Sequence, residues 1–383
     1  LNNEVSWAEI DLDAIAHNAR QLKKHVGERT ELMAVVKANA YGHGALPVAR
    51  TALQSGATRL AIVRVNEGVQ LRAGGISAPI LVLGYALPGQ ATDIVRYRLT
   101  PTVNTLELAQ ALSAAVAEQG AASLPVHLKV DTGLGRFGLL PKEVLAFARA
   151  LVTLPGLALE GFWTHFASAD EADKSYTYRQ FELYCQVLQQ LEDAGIAIPV
   201  RHVANSAATL SLPDMHLDMV RCGITLYGLR PSAEVEMVVP LRPAMTLKSR
   251  VARLRILPVG SSISYNRTYV AARPTLVALV PMGYGDGYRR GLSNKGAVLI
   301  HGQRAPIIGR VCMDQFMVDV SAIPDVRQDD EIVLLGRQGE GEINAEELGE
   351  WVGTNNYETV TGILARVPRV YLAGSSKGQA ASS

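Results

Sequence analysis

Between residues 30 and 230 the chain alternates short apolar runs with amphipathic stretches of helical period, and this constrains the fold more than any other feature. Apolar runs of strand length separated by helical segments make parallel βα units. Eight strands are predicted: Leu32 to Lys37, Leu60 to Val65, Pro79 to Leu83, Thr100 to Val103, Val126 to Val130, Leu157 to Trp163, Val200 to Val203, and Met219 with its neighbours. Eight units in about 200 residues point to a closed (β/α)8 barrel rather than an open doubly wound sheet. The fourth run holds Pro101, which cannot donate to a ladder.

Beyond about residue 240 the texture changes. Leu247 to Leu257, Thr275 to Val280, Ala297 to Ile300, Ala305 to Val320 and Glu331 to Leu335 are separated by turns rich in Gly, Pro and Asp, as in an antiparallel β domain. A helix over Asn344 to Trp351 is expected before Tyr357. The predicted organisation is an N-terminal (β/α)8 TIM-type barrel over 1–240, a mainly antiparallel β domain over 241–373, and a disordered Ser, Gly and Ala-rich tail over 374–383. The early run Val5 to Ile10 has no place among the eight strands and is expected to pair with the second domain.

Two domains suit 383 residues, which is long for one core. Thirty-seven Lys and Arg against 36 Asp and Glu give no electrostatic case for nucleic acid or an anionic membrane, so a small-molecule partner is expected. Cys185, Cys222 and Cys312 have neither disulfide-framework nor zinc spacing, which fits a reducing compartment. The eight histidines form no H-E-x-x-H grouping, so no catalytic metal is expected. The first residues show no basic n-region or apolar h-region, and no apolar run has membrane-spanning length; a cytoplasmic protein is expected.

The chemistry starts at M-A-V-V-K-A-N-A-Y-G-H-G, residues 33–44, where Lys37 ends an apolar strand. Burial disfavours the ammonium and turns such a lysine into an amine nucleophile or base, able to form Schiff bases with carbonyl compounds such as pyridoxal phosphate. A lysine that snorkels from a strand end is the ordinary alternative. Tyr41 supplies a hydroxyl, while Gly42 and Gly44 allow close backbone approach ahead of a helical segment, as an anion-binding turn requires.

In such barrels the site lies at the C-terminal strand ends, with phosphate commonly held after strands seven and eight. Asn205-Ser206-Ala207-Ala208 and Arg221-Cys222-Gly223-Ile224 stand at those positions. Backbone N–H groups of Ser206, Gly223 and Ile224 suit a dianion, although Ser206 could be a simple N-cap. Arg221 can donate to a cofactor ring nitrogen, and since arginine does not readily surrender its proton, that nitrogen stays unprotonated and is a weaker electron sink, which favours racemisation over transamination. A structural salt bridge at Arg221 is the alternative. His165, in W-T-H-F, can stack on or hydrogen-bond to the ring system, or be a core histidine.

The segment H-L-K-V-D-T-G-L-G-R-F-G puts Lys129 and Asp131 on strand five and Arg136 beyond it. Gly133, Gly135 and Gly138 satisfy the dinucleotide pattern G-x-G-x-x-G, with Glu160 downstream, but they fall in the fifth of eight consistent βα units. Their better use is to bend the loop so that Arg136 reaches a substrate carboxylate. The second domain supplies Tyr265, in S-I-S-Y-N-R-T-Y, and Cys312-Met313-Asp314, in G-R-V-C-M-D-Q-F. Racemisation needs a base on each face of a planar carbon, and Lys37 serves only one. A tyrosine supported by a cationic neighbour is a suitable second base, with His202 and Arg289 or Arg290 as candidate supports.

With these motifs, and from W-A-E-I-D-L-D-A-I near the start to R-V-P-R-V-Y near the end, the chain resembles the alanine racemases over nearly its whole length. The resemblance implies that Lys37 carries pyridoxal 5'-phosphate and is one base, with Tyr265 the other. It implies that Tyr41, Ser206, Gly223, Ile224 and Tyr357 hold the phosphate beside Asn205, that Arg221 faces the ring nitrogen, and that Arg136 and Met313 lie near the substrate carboxylate. Tyr265 and the C-M-D segment with Asp314 would come from the other subunit of a head-to-tail homodimer with shared sites. Lys129 matches a position often carbamylated and hydrogen-bonded to Arg136. The implied product is D-alanine for peptidoglycan. Asn266 departs from the pattern, where glycine or another small residue is expected, and Tyr357 argues for alanine over serine. A broad-specificity or serine-accepting racemase is the nearest alternative. A decarboxylase would put a carboxylate where Arg221 stands, and a single-barrel cofactor-binding protein would end near residue 240.

Overall fold

The computed structural model describes residues 3–374, so the predicted tail beyond Gly374 lies outside the described residues. The chain divides into two compact units: one of Ala14–Ala40 with Ala45–Arg242, the other of the residues up to Asp13, Tyr41–Gly44 and those from Pro243 onward.

The first unit contains eight parallel strands, which follow β1 (Ser6–Asp11) in the chain: β2 (Glu31–Val35), β3 (Arg59–Ile62), β4 (Ile80–Val82), β5 (Thr100–Pro101), β6 (Leu124–Lys129), β7 (Leu157–Trp163), β8 (Val200–His202) and β9 (Met219–Cys222). Ladders run β5-β4-β3-β2-β9 and β6-β7-β8. Two seams close the ring. Thr102 bridges to His127, and the Val103 N–H donates to the His127 carbonyl at 2.8 Å, joining β5 to β6. Between β8 and β9 the N–H groups of Asp218 and Arg221 reach the carbonyls of Arg201 and Ala204 at 3.2 and 3.0 Å. The result is a (β/α)8 TIM-type barrel. Leu32, Met33, Leu60, Ile62, Leu128 and Phe162 are fully buried, as strands covered on both faces require.

Three boundaries differ from expectation. β2 ends at Val35, so Lys37 opens a turn rather than ending a strand. Val65 starts the helix Val65–Ala73, because Glu67 in its first turn reaches back to the N–H groups of Val63 and Arg64 and stops β3 early. Pro101 cuts β5 to two residues.

The second unit is built of mainly antiparallel strands. Its strands are β10 (Met245–Arg250), β11 (Arg253–Leu257), β12 (Ser262–Ile263), β13 (Tyr269–Val270), β14 (Thr275–Val280), β15 (Ala297–Ile300), β16 (Gln303–Ile308), β17 (Phe316–Asp319), β18 (Glu331–Gln338), β19 (Gly341–Ile343) and β20 (Arg369–Leu372). The main order is β11-β14-β17-β16-β15-β18-β10-β1-β20, with β12 and β13 as a separate hairpin pair beside the main sheet. The N-terminal strand β1 is antiparallel to β10 and parallel to β20. The single run predicted over Leu247 to Leu257 is two strands, because Val251 and Ala252 hand the chain from one neighbour to another through N–H bonds to Asp330 and Leu279. The run over Ala305 to Val320 is likewise divided, with the C-M-D segment in the loop between β16 and β17. The helix Ala345–Val352 is capped by Asn344, whose side chain accepts from the Glu347 N–H.

Candidate active site

The barrel unit gathers a cationic cluster at its C-terminal strand ends. Lys37 lies two residues past β2. Burial lowers its pKa first, the Arg136 charge lowers it further, and Glu67 opposes both. It opens a left-handed turn in which Ala38, Asn39, Ala40 and Tyr41 all have φ between 51 and 54°. Such a conformation costs an L-residue roughly 1–2 kcal/mol. The turn is held by Glu67, which accepts the Ala38 N–H at 2.6 Å, and by Asn39, whose Oδ1 accepts the Ala45 N–H at 2.9 Å. Sequence reading passed over Glu67. An acidic residue in a first helical turn signals only a cap.

Lys129 is buried, and its ammonium donates to the Phe137 carbonyl. Burial pulls its pKa down to about 8, with Arg221 and Arg136 adding to the fall and Asp131 opposing it. The glycine loop after β6 is organised by Asp131, whose carboxylate accepts from Gly133, Gly135 and Arg136 at 3.0, 3.1 and 2.9 Å. Gly133, Gly135 and Gly138 have φ of 138, 70 and 129°, so the loop needs them for curvature. The following helix starts only at Pro141, and Glu160 is committed to Arg59 and His127 at 3.0 Å each, so neither half of a dinucleotide site is present.

Arg221 is buried with no carboxylate paired to it among the described residues, which leaves the salt-bridge reading without a partner. Its Nη1 donates to His202 Nδ1 (2.9 Å) and the His202 carbonyl (3.0 Å). Its Nη2 faces the carbonyls of Thr164 (2.9 Å) and Val203 (3.0 Å) and His165 Nδ1 (3.3 Å). The Nη hydrogens are thus used, and Nε–H has no acceptor among the described residues. The guanidinium lies 4.8 Å from the Trp163 ring centroid, whose indole stacks on His202 at 5.7 Å. Burial holds His165 and His202 well below the usual imidazole range; the Arg221 charge adds to this at both, and Arg136, Lys37 and Lys129 add to it at His165. Both shifts favour the neutral ring over the imidazolium.

At the ends of β8 and β9 the cap is Asn205, not Ser206: the Asn205 side chain accepts from the Ala208 N–H at 3.0 Å. Ser206 Oγ instead accepts from the Gly223 N–H and the Thr225 hydroxyl, both at 3.0 Å, tying the two strand ends together. Gly223 therefore spends its N–H inside the protein. The helix Ser206–Ser211 and the 3₁₀ turn Ile224–Tyr227 both begin here and present first-turn N–H groups that lack intrahelical acceptors.

In the second unit Tyr41 and Tyr357 have ring centroids 6.3 Å apart, and burial pushes the Tyr41 hydroxyl well above the ordinary phenol range. Gly42 has φ 84°, and a Cβ there would meet the Val360 carbonyl at 2.5 Å. A Cβ on Gly44 would overlap the Tyr371 hydroxyl. These glycines thus serve packing against Val360 and Tyr371, contacts that lie over 300 residues away along the chain.

Tyr265, 71% exposed, and Met313, 52% exposed, line one open cavity of about 640 Å³ with Cys312, Asp314, Arg253 and Arg255. The C-M-D loop is pinned by N–H bonds from Tyr284 to the Cys312 carbonyl (3.0 Å) and from Gly285 to the Met313 carbonyl (2.8 Å). Asp314 pairs with Arg366 at 2.9 Å. Of the supports expected for Tyr265, Arg289 pairs with Glu358, and His202 bonds Arg221 and His127.

A barrel with a desolvated lysine and a carboxylate-free buried arginine, followed along the chain by an antiparallel β unit, defines an enzyme class, the barrel-type amino-acid isomerases. The comparisons make the family specific. The family described as alanine racemase, N-terminal domain, matches residues 10–231, and alanine racemase, C-terminal domain, matches residues 244–371. The alanine racemase of Desulforamulus reducens is 51% identical over 96% of this chain and 99% of its own length. The solved alanine racemase of Clostridium difficile 630 superposes with a TM-score of 0.92 at 40% identity, over 97% of each chain. That of Bacillus anthracis, described with bound L-Ala-P, gives 0.92 at 40% identity over 98% of this chain and 96% of its own. The chain belongs to the alanine racemase family. Its substrate is a small amino acid, and no helix among the described residues is long and apolar enough to cross a membrane.

Proposed function

We propose that racemisation of alanine by this chain uses pyridoxal 5'-phosphate, with Lys37 and Tyr265 as the two bases. The observation that carries the reading is the pairing of a desolvated Lys37 with an Arg221 whose one unspent donor is Nε–H. This donor set fits the cofactor: an amine of lowered pKa for its aldehyde, a single N–H for its ring nitrogen, and helical N–H groups at Ser206 and Ile224 for its phosphate. When bound, that cofactor supplies an electron sink that acidifies the Cα–H of the amino acid.

Arg221 keeps its own proton and would therefore leave a ring nitrogen that it faces unprotonated, a weaker sink that would favour return of a proton to Cα. The Lys37 amine exchanges the Cα proton on one face and the Tyr265 hydroxyl on the other. Asn205, Ser206, Gly223, Ile224, Tyr41 and Tyr357 form the phosphate end, with Gly223 acting through Ser206. Arg136 and Met313 orient the substrate carboxylate, and a carbamate on Lys129 would fix Arg136. His165 and His202 hold Arg221, and Asp314 holds the Met313 loop. The exposure of Tyr265 and Met313 supports a head-to-tail homodimer in which each copy supplies these residues to the other. The three unpaired cysteines fit a cytoplasmic enzyme supplying D-alanine for peptidoglycan.

The test is Cα-hydrogen exchange in D2O with the purified protein, offered L-alanine, D-alanine, L-serine and L-lysine separately, with chiral analysis. Exchange with inversion for alanine alone is expected. Comparable turnover of lysine would indicate a broad-specificity racemase, and loss of the carboxylate without inversion would overturn the reading.

A further inference from the structure

The hydrogen positions behind Arg221 follow from the geometry. A guanidinium has donors only. Its Nη1 lies 2.9 Å from His202 Nδ1, so that nitrogen accepts. In a neutral ring the hydrogen of His202 is then on Nε2, which lies 2.9 Å from His127 Nδ1. His127 Nδ1 must in turn accept, which puts its hydrogen on Nε2, 3.0 Å from the Glu160 carboxylate. The three bonds run in one direction, from cation to anion. Both histidines are fully buried, where an imidazolium would lose its hydration. The other carboxylate oxygen of Glu160 accepts from Arg59 at 3.0 Å, and Arg59 also pairs with Glu31, so the anion is fixed from the first residues of β2 and β3.

We propose that Glu160 is a positioning residue for Arg221: by accepting from His127 it sets both histidines in the Nε2–H form, so that His202 always turns a lone pair toward the guanidinium. With the opposite tautomers, two donors would face each other at the His202–Arg221 contact, and the guanidinium would have to rotate. That rotation would misdirect Nε–H, the donor assigned above to the cofactor ring. The catalytic part of this inference rests on that assignment; the tautomers do not.

The experiment uses loaded enzyme labelled with ¹⁵N-histidine, in which long-range ¹H–¹⁵N correlations identify each tautomer, together with Glu160→Leu, Glu160→Gln and Arg221→Lys. His127 and His202 are expected as neutral Nε2–H rings in the unsubstituted enzyme. Glu160→Leu, which leaves His127 no acceptor, should lose this order, lower kcat about tenfold or more at little change in KM, and shift the cofactor's visible band in the same direction as Arg221→Lys. Glu160→Gln, which keeps an acceptor, should recover most of the loss. An Nδ1–H ring or an imidazolium at either position in the unsubstituted enzyme overturns the proposal, and this holds even if Glu160→Leu fails to fold. So does a Glu160→Leu enzyme with unaltered tautomers and an unaltered band. Correct tautomers with a band that Arg221→Lys does not move would support the Glu160 assignment and sink the ring-nitrogen reading instead.

Discussion

Glu67 should matter more than its place on a helix surface suggests. Its carboxylate accepts three backbone N–H groups, from Ala38 at 2.6 Å and from Val63 and Arg64 at 2.9 Å. Hydrogen bonds to a charged acceptor contribute about 1.5–3 kcal/mol each. Arg64 and Ala38 are exposed and Val63 half-buried, so water can replace part of the share of each bond. The Ala38 bond has a further role, because it restrains a turn of four L-residues near φ 52° that is unfavourable by itself. We expect Glu67→Ala to lower stability by roughly 3 kcal/mol, dominated by the Ala38 bond and the turn it restrains. Since the chain has two units and one unfolding free energy would mix them, the local assay is hydrogen exchange at the amides of 36–40. A loss of about 3 kcal/mol there corresponds to protection falling about a hundredfold. Glu67→Gln should fall between, because its amide oxygen can accept but its NH₂ must face a donor. Glu67 also opposes the depression of the Lys37 pKa, so both substitutions should leave the Lys37 amine still less basic. Protection and urea unfolding of Glu67→Ala both within about 0.5 kcal/mol of the unsubstituted chain would refute the claim that this carboxylate holds the lysine turn.

Lys37→Ala should abolish the visible absorbance of the cofactor-loaded protein, and unchanged spectra would remove Lys37 as its carrier. Tyr265→Phe should impair deuterium exchange from L-alanine more than from D-alanine; equal losses in both directions would contradict separate bases on the two faces. The hydrogen bond from His127, and after it Arg59, hold the Glu160 carboxyl below the usual carboxylate range, against burial. A carboxylate depressed on folding stabilises the fold above its unfolded pKa and loses that contribution as pH falls through the folded one. Stability should therefore decline as pH falls from about 5 through the depressed pKa of Glu160, and Glu160→Gln should flatten this limb in urea titrations. An identical acid limb in the variant would count against it.

What could be read from the sequence depended on the range of the interaction. Parallel strands covered on both faces become apolar runs, so all eight barrel strands were legible, and a lysine at the end of such a run stood out as one charge against that background. Residues whose role lies in a distant partner were not legible. Glu67 reaches Ala38 across 29 positions, and Glu160 meets His127 across 33. Such pairs depend on barrel register, which no local pattern specifies. The alternative reading of Ser206 as the helix cap fails for a smaller reason: both Asn205 and Ser206 are good caps, and a one-residue shift in helix start moves the cap to Asn205.

Asn266 shows what can be recovered once the backbone is known. Glycine or another small residue was expected there, and the structure gives a reason for glycine: Ser264, Asn266 and Arg267 have φ of 65, 62 and 50°, all left-handed. The backbone there demands that conformation, and asparagine is among the L-residues that bear it best. The departure from the family pattern therefore keeps the loop geometry around Tyr265, at the cost of a side chain beside it. Asn266→Gly should consequently leave the loop's path intact, whereas a β-branched residue at 266 should distort it and move Tyr265 with it.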